Sequence, residues 1–559
     1  MDKKDKSSRI TRRGFIKKSA TVGLGVTALS GLNTEEANPQ TRVRWDREAD
    51  VVIAGAGCSG LCASIAARDQ GASVIAIDEN NDVGGHAMVS GGNIPLGGGT
   101  SLQKKYGIVD SADQVFLDNT DCKNPEFRHN DRDLVRVWAD ENAPTFEFLL
   151  ENGVKFATDI TPRVMTRQGN PLPQGSVARV VPTLAYSNNF NETIANSGGS
   201  GVVRPLEKSA RAKGAEILLR HKLMALITEK PSGGRVLGIT VRFDNKNLNI
   251  RAKKGVILAT GGHTGNVELR RMFDPRLTEE YQVAGEPYSR QSGDGEMLAL
   301  GIGAMMWGTA NTNTGAGTPI TKTRHIGCRW GYANLKWNPN SPMFERAGAS
   351  GLTLQNFQDV IFVNQSGLRF WNEADNTFNF FHACMGTNGN LGKDGKKNGG
   401  GPVWAIFDSD AVTREKWDAR PPNVDPNGWF FTADTLAELA RKIVNPYQYR
   451  PVPAAALEQS VAKYNSFVDA GKDAEFNKPT PMFKIQKPPF YAAWATPILH
   501  DSLAGLKINA KCQVIDLKGQ VIPGLFCAGE SAGGFSLHGL PRVTVFGRIA
   551  GREAAMIKV

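Results

Sequence analysis

No Cys-x-x-Cys-His, no His-Glu-x-x-His and no gathering of histidines with cysteines occurs in the chain, so covalent c-type haem and zinc have no recognisable ligand set and no metal site is expected. Cysteine is scarce. The seven cysteines among 559 residues are odd in number and lack paired spacing, which argues against a disulfide framework. Cys58 and Cys62, one helical turn apart, read as packed small residues. Long apolar runs are missing too: the longest near the N-terminus, Ala20 to Leu29, is about half of the roughly 20 residues that span a bilayer. Lys and Arg form no stripe interleaved with aromatics, and no nucleic-acid module is legible, so nucleic acid is excluded as a partner. The net charge of +11 is partly local: residues 1–38 carry eight Lys/Arg against four Asp/Glu, +4, and leave +7 for the rest.

What remains is a glycine-rich chain of ordinary globular composition, too long for one hydrophobic core, so at least two domains are expected. Its first residues read as an address. Thr11-Arg12-Arg13-Gly14-Phe15-Ile16-Lys17 follows a basic start, the weakly apolar run comes next, and Ala28 and Ser30 are spaced as a cleavage site. This is the pattern of a twin-arginine signal peptide, which predicts use of the Tat export machinery, carriage of a folded protein and a periplasmic or otherwise extracytoplasmic location.

The next signal is a strand, a turn and a helix. Ala49 to Ala54 is a short apolar run, Gly55-Ala56-Gly57-Cys58-Ser59-Gly60 follows, and Leu61 to Gln70 has helical spacing. Gly55 makes the turn, Gly57 lets a pyrophosphate approach the backbone, and Gly60 lets the helix pack closely on the strand, while the helix N-terminus, with Cys58 and Ser59, faces the phosphates. A second strand, Ala72 to Ile77, ends at Asp78-Glu79; Asp78, 23 positions after Gly55, stands where a carboxylate reaches ribose hydroxyls. At this point NAD and FAD are both open.

Segments further along favour FAD. Gly84-Gly85 and Ser90-Gly91-Gly92 bring permissive backbone close to where a flavin and its phosphates must pass. Gly255 to Leu258 reads as a buried strand entering Ala259-Thr260-Gly261-Gly262, and Ser292-Gly293-Asp294-Gly295 precedes a helical pattern over Glu296 to Ile302. Near the C-terminus an apolar strand runs into Gly529-Glu530, with Glu530 placed for the ribityl chain.

GAGCSG, VIAIDEN, ILATGGHTGN, SGDGE, FVNQSGLRFWNE at 362–373, GLFCAGESAGG and VFGRIAG together resemble the flavoprotein family of fumarate reductases, urocanate reductases and 3-ketosteroid dehydrogenases, over about 48–559. The resemblance implies an α/β fold: a Rossmann-like FAD-binding domain built from two chain segments, 48–305 and 486–559, with an inserted α+β capping domain at 306–485 behind the 1–38 leader. It implies a final helix starting near Val545, with Thr544 and Val545 at its N-terminus facing the flavin pyrimidine edge. His500, in His500-Asp501-Ser502-Leu503-Ala504-Gly505, would carry a proton. His538 and Arg542, in His538-Gly539-Leu540-Pro541-Arg542, match the family's His-Gly-x-x-Arg, whose arginine clamps a substrate carboxylate or carbonyl.

The departures matter equally. The family's proton-donating arginine falls at Thr377, and its His-Pro-Thr strand is replaced by Asn311 to Gly317, which disfavours fumarate. Trp307, Trp330, Trp337 and Trp371 could instead line a pocket for a flat apolar ring, with Tyr332, Arg324 and His325 near it. The expectation is therefore an exported FAD-dependent oxidoreductase. It moves a hydride between flavin N5 and a C=C or CH–CH bond beside a carbonyl, on a small aromatic or steroid-like molecule, with a periplasmic cytochrome or other redox partner. An oxidase or C–H dehydrogenase, and an electron-transfer module without a substrate of its own, are the alternatives.

Overall fold

The computed structural model describes residues 43–121, 127–156, 198–230, 233–308, 320–321, 325–330, 348–355, 357–375, 378–385, 400–534, 536–537 and 539–558. Only 43 and 44 of the segment Met1–Arg44 are among them, and the fold is that of the compact unit Trp45–Val559. Among the described residues no helix is long and apolar enough to cross a membrane.

The first apolar run forms β1 (Arg47–Ala54), whose Val51 to Ala54 are wholly buried because covered parallel strands must be apolar on both faces. It leads into α1 (Cys58–Asp69), which starts three residues earlier than its spacing suggested, and then β2 (Val74–Ile77). Later come α2 (Ser200–Ala212), β3 (Glu216–Leu218), the antiparallel hairpin β4 (Lys222–Lys230) and β5 (Gly233–Phe243), and β6 (Lys246–Leu258). The chain returns at its end as β7 (Gln513–Ile515) and β8 (Val521–Cys527). Strand order across the main sheet is β7-β8-β6-β1-β2-β3, with the hairpin joined through β5 to β6.

Register explains why distant glycine motifs meet. In the parallel core of this sheet Ala54 lies beside Ile77 and Leu258, and Leu258 lies beside Cys527. Four strands thus end level, and residues just after each, at 55, 78, 259 and 529, open onto one crevice at the carboxyl edge. The order reverses between β1 and β6, the place where open α/β sheets bind ligands.

Beyond β6 lie α3 (Asp294–Gly301), the long helix α4 (Ala454–Ala470) and the last helix, α5 (Leu540–Ala555). That last helix begins five residues before its expected start at Val545. Pro541 suits a first turn, where its missing N–H costs nothing, and Gly539 precedes it at φ +74°. Helices α1 and α5 then cross at backbone contact: a Cβ at Gly547 would lie 2.4 Å from the Ser59 oxygen, and one at Gly551 2.2 Å from the Ala63 oxygen. The VFGRIAG segment is therefore a helix-packing sequence.

A second, antiparallel sheet takes strands 361–364, 403–408, 490–494 and 430–433 in that order, over its own apolar cores. Its strand Phe490–Trp494 lies beyond the expected boundary at 485, so the chain leaves this sheet later than expected. The FVNQSGLRFWNE segment braces it. Arg369 donates to Glu373 (2.8 Å) and to Asp473 (2.9 Å), and Lys478 sits 3.4 Å from Glu373, all buried. Although burial alone would raise Glu373, the Arg369 and Lys478 cations outweigh it and hold its carboxyl at about 2.

Candidate functional site

The crevice at the strand ends is a concave cavity that takes in about 960 Å³ of empty space, part of it open to solvent. Gly55 builds its floor. With φ +106° and a Cβ position 2.1 Å from the Ala259 oxygen, no other residue fits there, and a Cβ at Gly60 would lie 1.9 Å from the Gly55 oxygen. Gly57, at the head of α1, faces open space, the nearest atom to its Cβ position being the Gly84 oxygen at 3.8 Å. The amino end of α1 is thereby exposed to whatever fills the cavity, and the Ser59 hydroxyl on the wall is buried with no hydrogen-bond partner.

At one end stands the acid that follows β2. Asp78 accepts hydrogen bonds from the backbone N–H groups of Ala56 (2.8 Å) and Asn80 (2.9 Å). Desolvation in the cavity wall pushes its carboxyl up to about 6 in spite of those bonds. Glu79 and Asp294 lie beside it, drawn together by Lys222 at 3.3 Å and 3.0 Å. These groups surround a smaller, adjoining recess with Gly55, Thr260 and Ser292.

The lining also takes in Gly84, Gly85, Ser90, Ala259, Thr260, Gly261, Gly529, Glu530 and His500. Gly261 takes φ +82° with nothing within 4 Å of its Cβ position. Among the described residues, oxygen Oε2 of Glu530 is buried without a partner, an acceptor left for a ligand. His500 keeps its side chain partly open and holds its Nδ1 3.2 Å from Asp501.

Several expected site residues lie elsewhere. Gly91 and Gly92 do not line the cavity: they pack on Gly198, whose Cβ position is 2.4 Å from the Gly91 oxygen, and Gly199 donates its N–H to the Ser90 oxygen. Their glycine content serves the approach to α2. Thr544 and Val545 are buried inside α5, the hydroxyl of Thr544 donating to the Leu540 and Pro541 carbonyls, while Gly539, Leu540 and Val543 form the wall. This is the result of the earlier helix start. Arg542, expected as a substrate clamp, is 1% exposed, does not line the cavity, and donates to the carbonyls of Ser502 (2.9 Å), Leu537 (3.5 Å) and Ala532. It ties the Ser502 carbonyl to the stretch that leads into α5. His538 and Tyr332 lie outside the described residues, as do Thr377, Arg324, Trp337 and Asn311 to Gly317.

The tryptophans reached by the structure have other tasks as well. Trp330 donates its indole N–H to Glu286 (2.8 Å) within the first core, Trp307 lies under Lys507 at 3.9 Å, and Trp371 donates to Asp375 (3.0 Å). His325 is buried in a two-stranded pairing. None of the four lines the cavity. Conversely, His86 and Gln291 do line it, although no sequence motif pointed to them, and so does Asp501 of the His500 stretch. His86 had a signal, since it is one of eight histidines and directly follows Gly84-Gly85.

Over residues 50–542 the chain matches the family described as FAD binding domain. The chain belongs to that family. FAD is accordingly its cofactor, and this flavoprotein is an oxidoreductase. The acrylate reductase flavoprotein subunit of Shewanella woodyi is 28% identical over 551 residues, covering 95% of this chain and 94% of the relative. Urocanate reductase of Eggerthella lenta is 27% identical over 540 residues, covering 94% and 77%. Among solved structures, the fold is shared with 3-ketosteroid delta1-dehydrogenase from Sterolibacterium denitrificans (TM-score 0.65, 21% identity, 91% of this chain and 99% of that one). It is shared too with the open conformation of a flavocytochrome c3 fumarate reductase (TM-score 0.62, 24% identity, 99% and 82%). The cavity fits the cofactor: the open cradle at Gly57, the unmet Ser59 hydroxyl and the unmet Glu530 oxygen are what a dinucleotide with a ribityl chain would satisfy.

Proposed function

We propose that this flavoprotein is exported by the twin-arginine route and exchanges a hydride with a C=C or CH–CH bond beside a carbonyl, fed by a cytochrome-type redox partner. The observation that carries the reading is the acid–base group gathered at one end of the cofactor cavity: His500 with Asp501, and His86 with Glu530. Bound FAD supplies the hydride chemistry. In this reading the Asp78 and Lys222 end holds the adenosine, the amino end of α1 the pyrophosphate, and Glu530 the ribityl hydroxyls. His500, oriented by Asp501 and open on one side, exchanges the proton at the second substrate carbon.

The cations of the described lining support a substrate class. With Arg542 bonded to three carbonyls, Arg290 is the single arginine on the described lining, and it is exposed. A dicarboxylate would find little grip there, which favours an uncharged enone, aromatic or steroid-like, or an enoate with a single carboxylate. The names of the relatives, acrylate, urocanate and digoxin reductases among them, favour the same bond type.

The test is anaerobic mixing of the reduced holoprotein with cinnamate-like acids, simple enoates and ketosteroids while flavin absorbance is followed. Reoxidation by an enone or enoate, with none by its saturated product, is expected. If the whole panel leaves the flavin reduced while oxygen reoxidises it with release of peroxide, the protein is an oxidase and the proposal fails.

A further inference from the structure

His86 enters the cavity on the turn made by Gly84 and Gly85, and its ring is held on several sides. Its Nδ1 lies 2.8 Å from the amide Nε2 of Gln291 and 3.5 Å from Oε1 of Glu530. Gln291 is itself fixed. It sits at φ +47°, unusual for a side chain of its size, and its Oε1 receives the Thr264 hydroxyl. With Oε1 so occupied, the Gln291 amide can only donate to His86, so the neutral ring accepts at Nδ1 and carries its proton on Nε2. Protonation reverses this preference: a new Nδ1–H turns away from the amide and toward the Glu530 carboxylate.

The remaining neighbours are a charge, a second imidazole and bare backbone. The rings of His86 and His500 have centroids 5.8 Å apart, and His500 reaches solvent on one side and Asp501 on the other. On the flank of His86 stands Gly285, whose Cβ position is 2.9 Å from the ring and brings no charge. Among the described residues, Glu530, Asp501 and His500 are titratable groups that face His86.

We propose that His86 is the charge-compensating proton site of the flavin. When two electrons enter from a one-electron carrier of the cytochrome class, His86 takes up one proton from water by way of His500. An N–H bond forms at Nδ1 toward Glu530 as an N–H bond of His500 breaks, His500 regains its proton from a water O–H bond with the hydroxide left to bulk solvent, and the proton is returned when the electrons leave. The driving force is Coulombic, since negative charge delivered into a site shielded from water raises the proton affinity of the nearest base. Burial by itself would lower the proton affinity of His86, but Glu530, and then Asp501, outweigh it and lift the group above its ordinary value of 6.5. The uptake therefore belongs above the ordinary histidine range. The inference rests on the cavity being the flavin site and makes no use of the substrate.

The experiment is a spectroelectrochemical titration of the purified holoprotein, without substrate, across pH, with proton uptake on dithionite reduction read by an indicator dye. The wild type is expected to show a section above the ordinary histidine range in which one extra proton accompanies two electrons. His86→Asn should lose that section while keeping its flavin spectrum, and Glu530→Gln should move it to lower pH. The same section in His86→Asn as in the wild type, or none in the wild type, overturns the proposal. Should His86→Asn fail to retain FAD, an unmoved section in Glu530→Gln overturns it. A protein that binds no FAD, or one whose flavin no enone or enoate reoxidises, contradicts the proposed function instead, and the two failures are told apart.

Discussion

Arg542 is a cation taken out of water and returned to three carbonyl oxygens. Removing it leaves those acceptors buried and unmet, a loss of roughly 2–5 kcal/mol. Arg542→Met is therefore expected to lower the thermal midpoint and the FAD content together. A clamp on substrate would raise KM and leave the midpoint in place, so calorimetry beside steady-state kinetics separates the two. Asp78 makes a second prediction. Its carboxyl is raised from an ordinary 3.8 to about 6, so its contribution to apoprotein stability is complete below 3.8 and is lost as pH rises through 6. Thermal midpoints of the apoprotein should fall across that window, and Asp78→Asn should flatten the fall. The hold on FAD should show the opposite trend, because the ionised carboxylate is the better acceptor for ribose hydroxyls.

Among elements, the contact of α1 with α5 is the most exacting. Gly547→Ala or Gly551→Ala pushes a methyl group into a backbone oxygen of α1, which cannot yield as a side-chain end would. A loss of about 1–3 kcal/mol in chemical denaturation is expected. Gly308→Ala, which meets nothing within 4 Å among the described residues at a position of ordinary φ, is the control that should stay unchanged. The same scale shows what was legible. Gly55, Gly57, Gly60, Asp78 and Gly261 could be read because each acts through its own turn or through the end of its own strand. Gly91 and Arg542 could not. Gly198 lies more than a hundred positions from Gly91, and Arg542 is tied to the Ser502 carbonyl 40 positions away as well as to the nearby Ala532 and Leu537, contacts that only the folded chain makes. His86 was missed for a related reason: its chemistry comes from Gln291 and Glu530, 205 and 444 positions away.

For the whole molecule, the main sheet is assembled from both ends of the chain, with the second sheet inserted between. A chain stopped after Trp494 keeps β1, β2 and β6 but lacks β8, Glu530 and α5. It should retain no FAD through gel filtration, whereas removal of residues 1–38, remote in sequence from every strand end, should leave flavin absorbance unchanged. A comparable amount of stable protein with bound flavin from the first of these would contradict the two-segment site.

The level ending of four strands has a consequence in time. During synthesis the floor of the crevice at Gly55 emerges from the ribosome hundreds of residues before the wall at Gly529 and Glu530, and α5 follows last of all. Until β8 and α5 have emerged the nascent chain offers only half a binding site. Cofactor capture therefore waits for the second segment to reach the first.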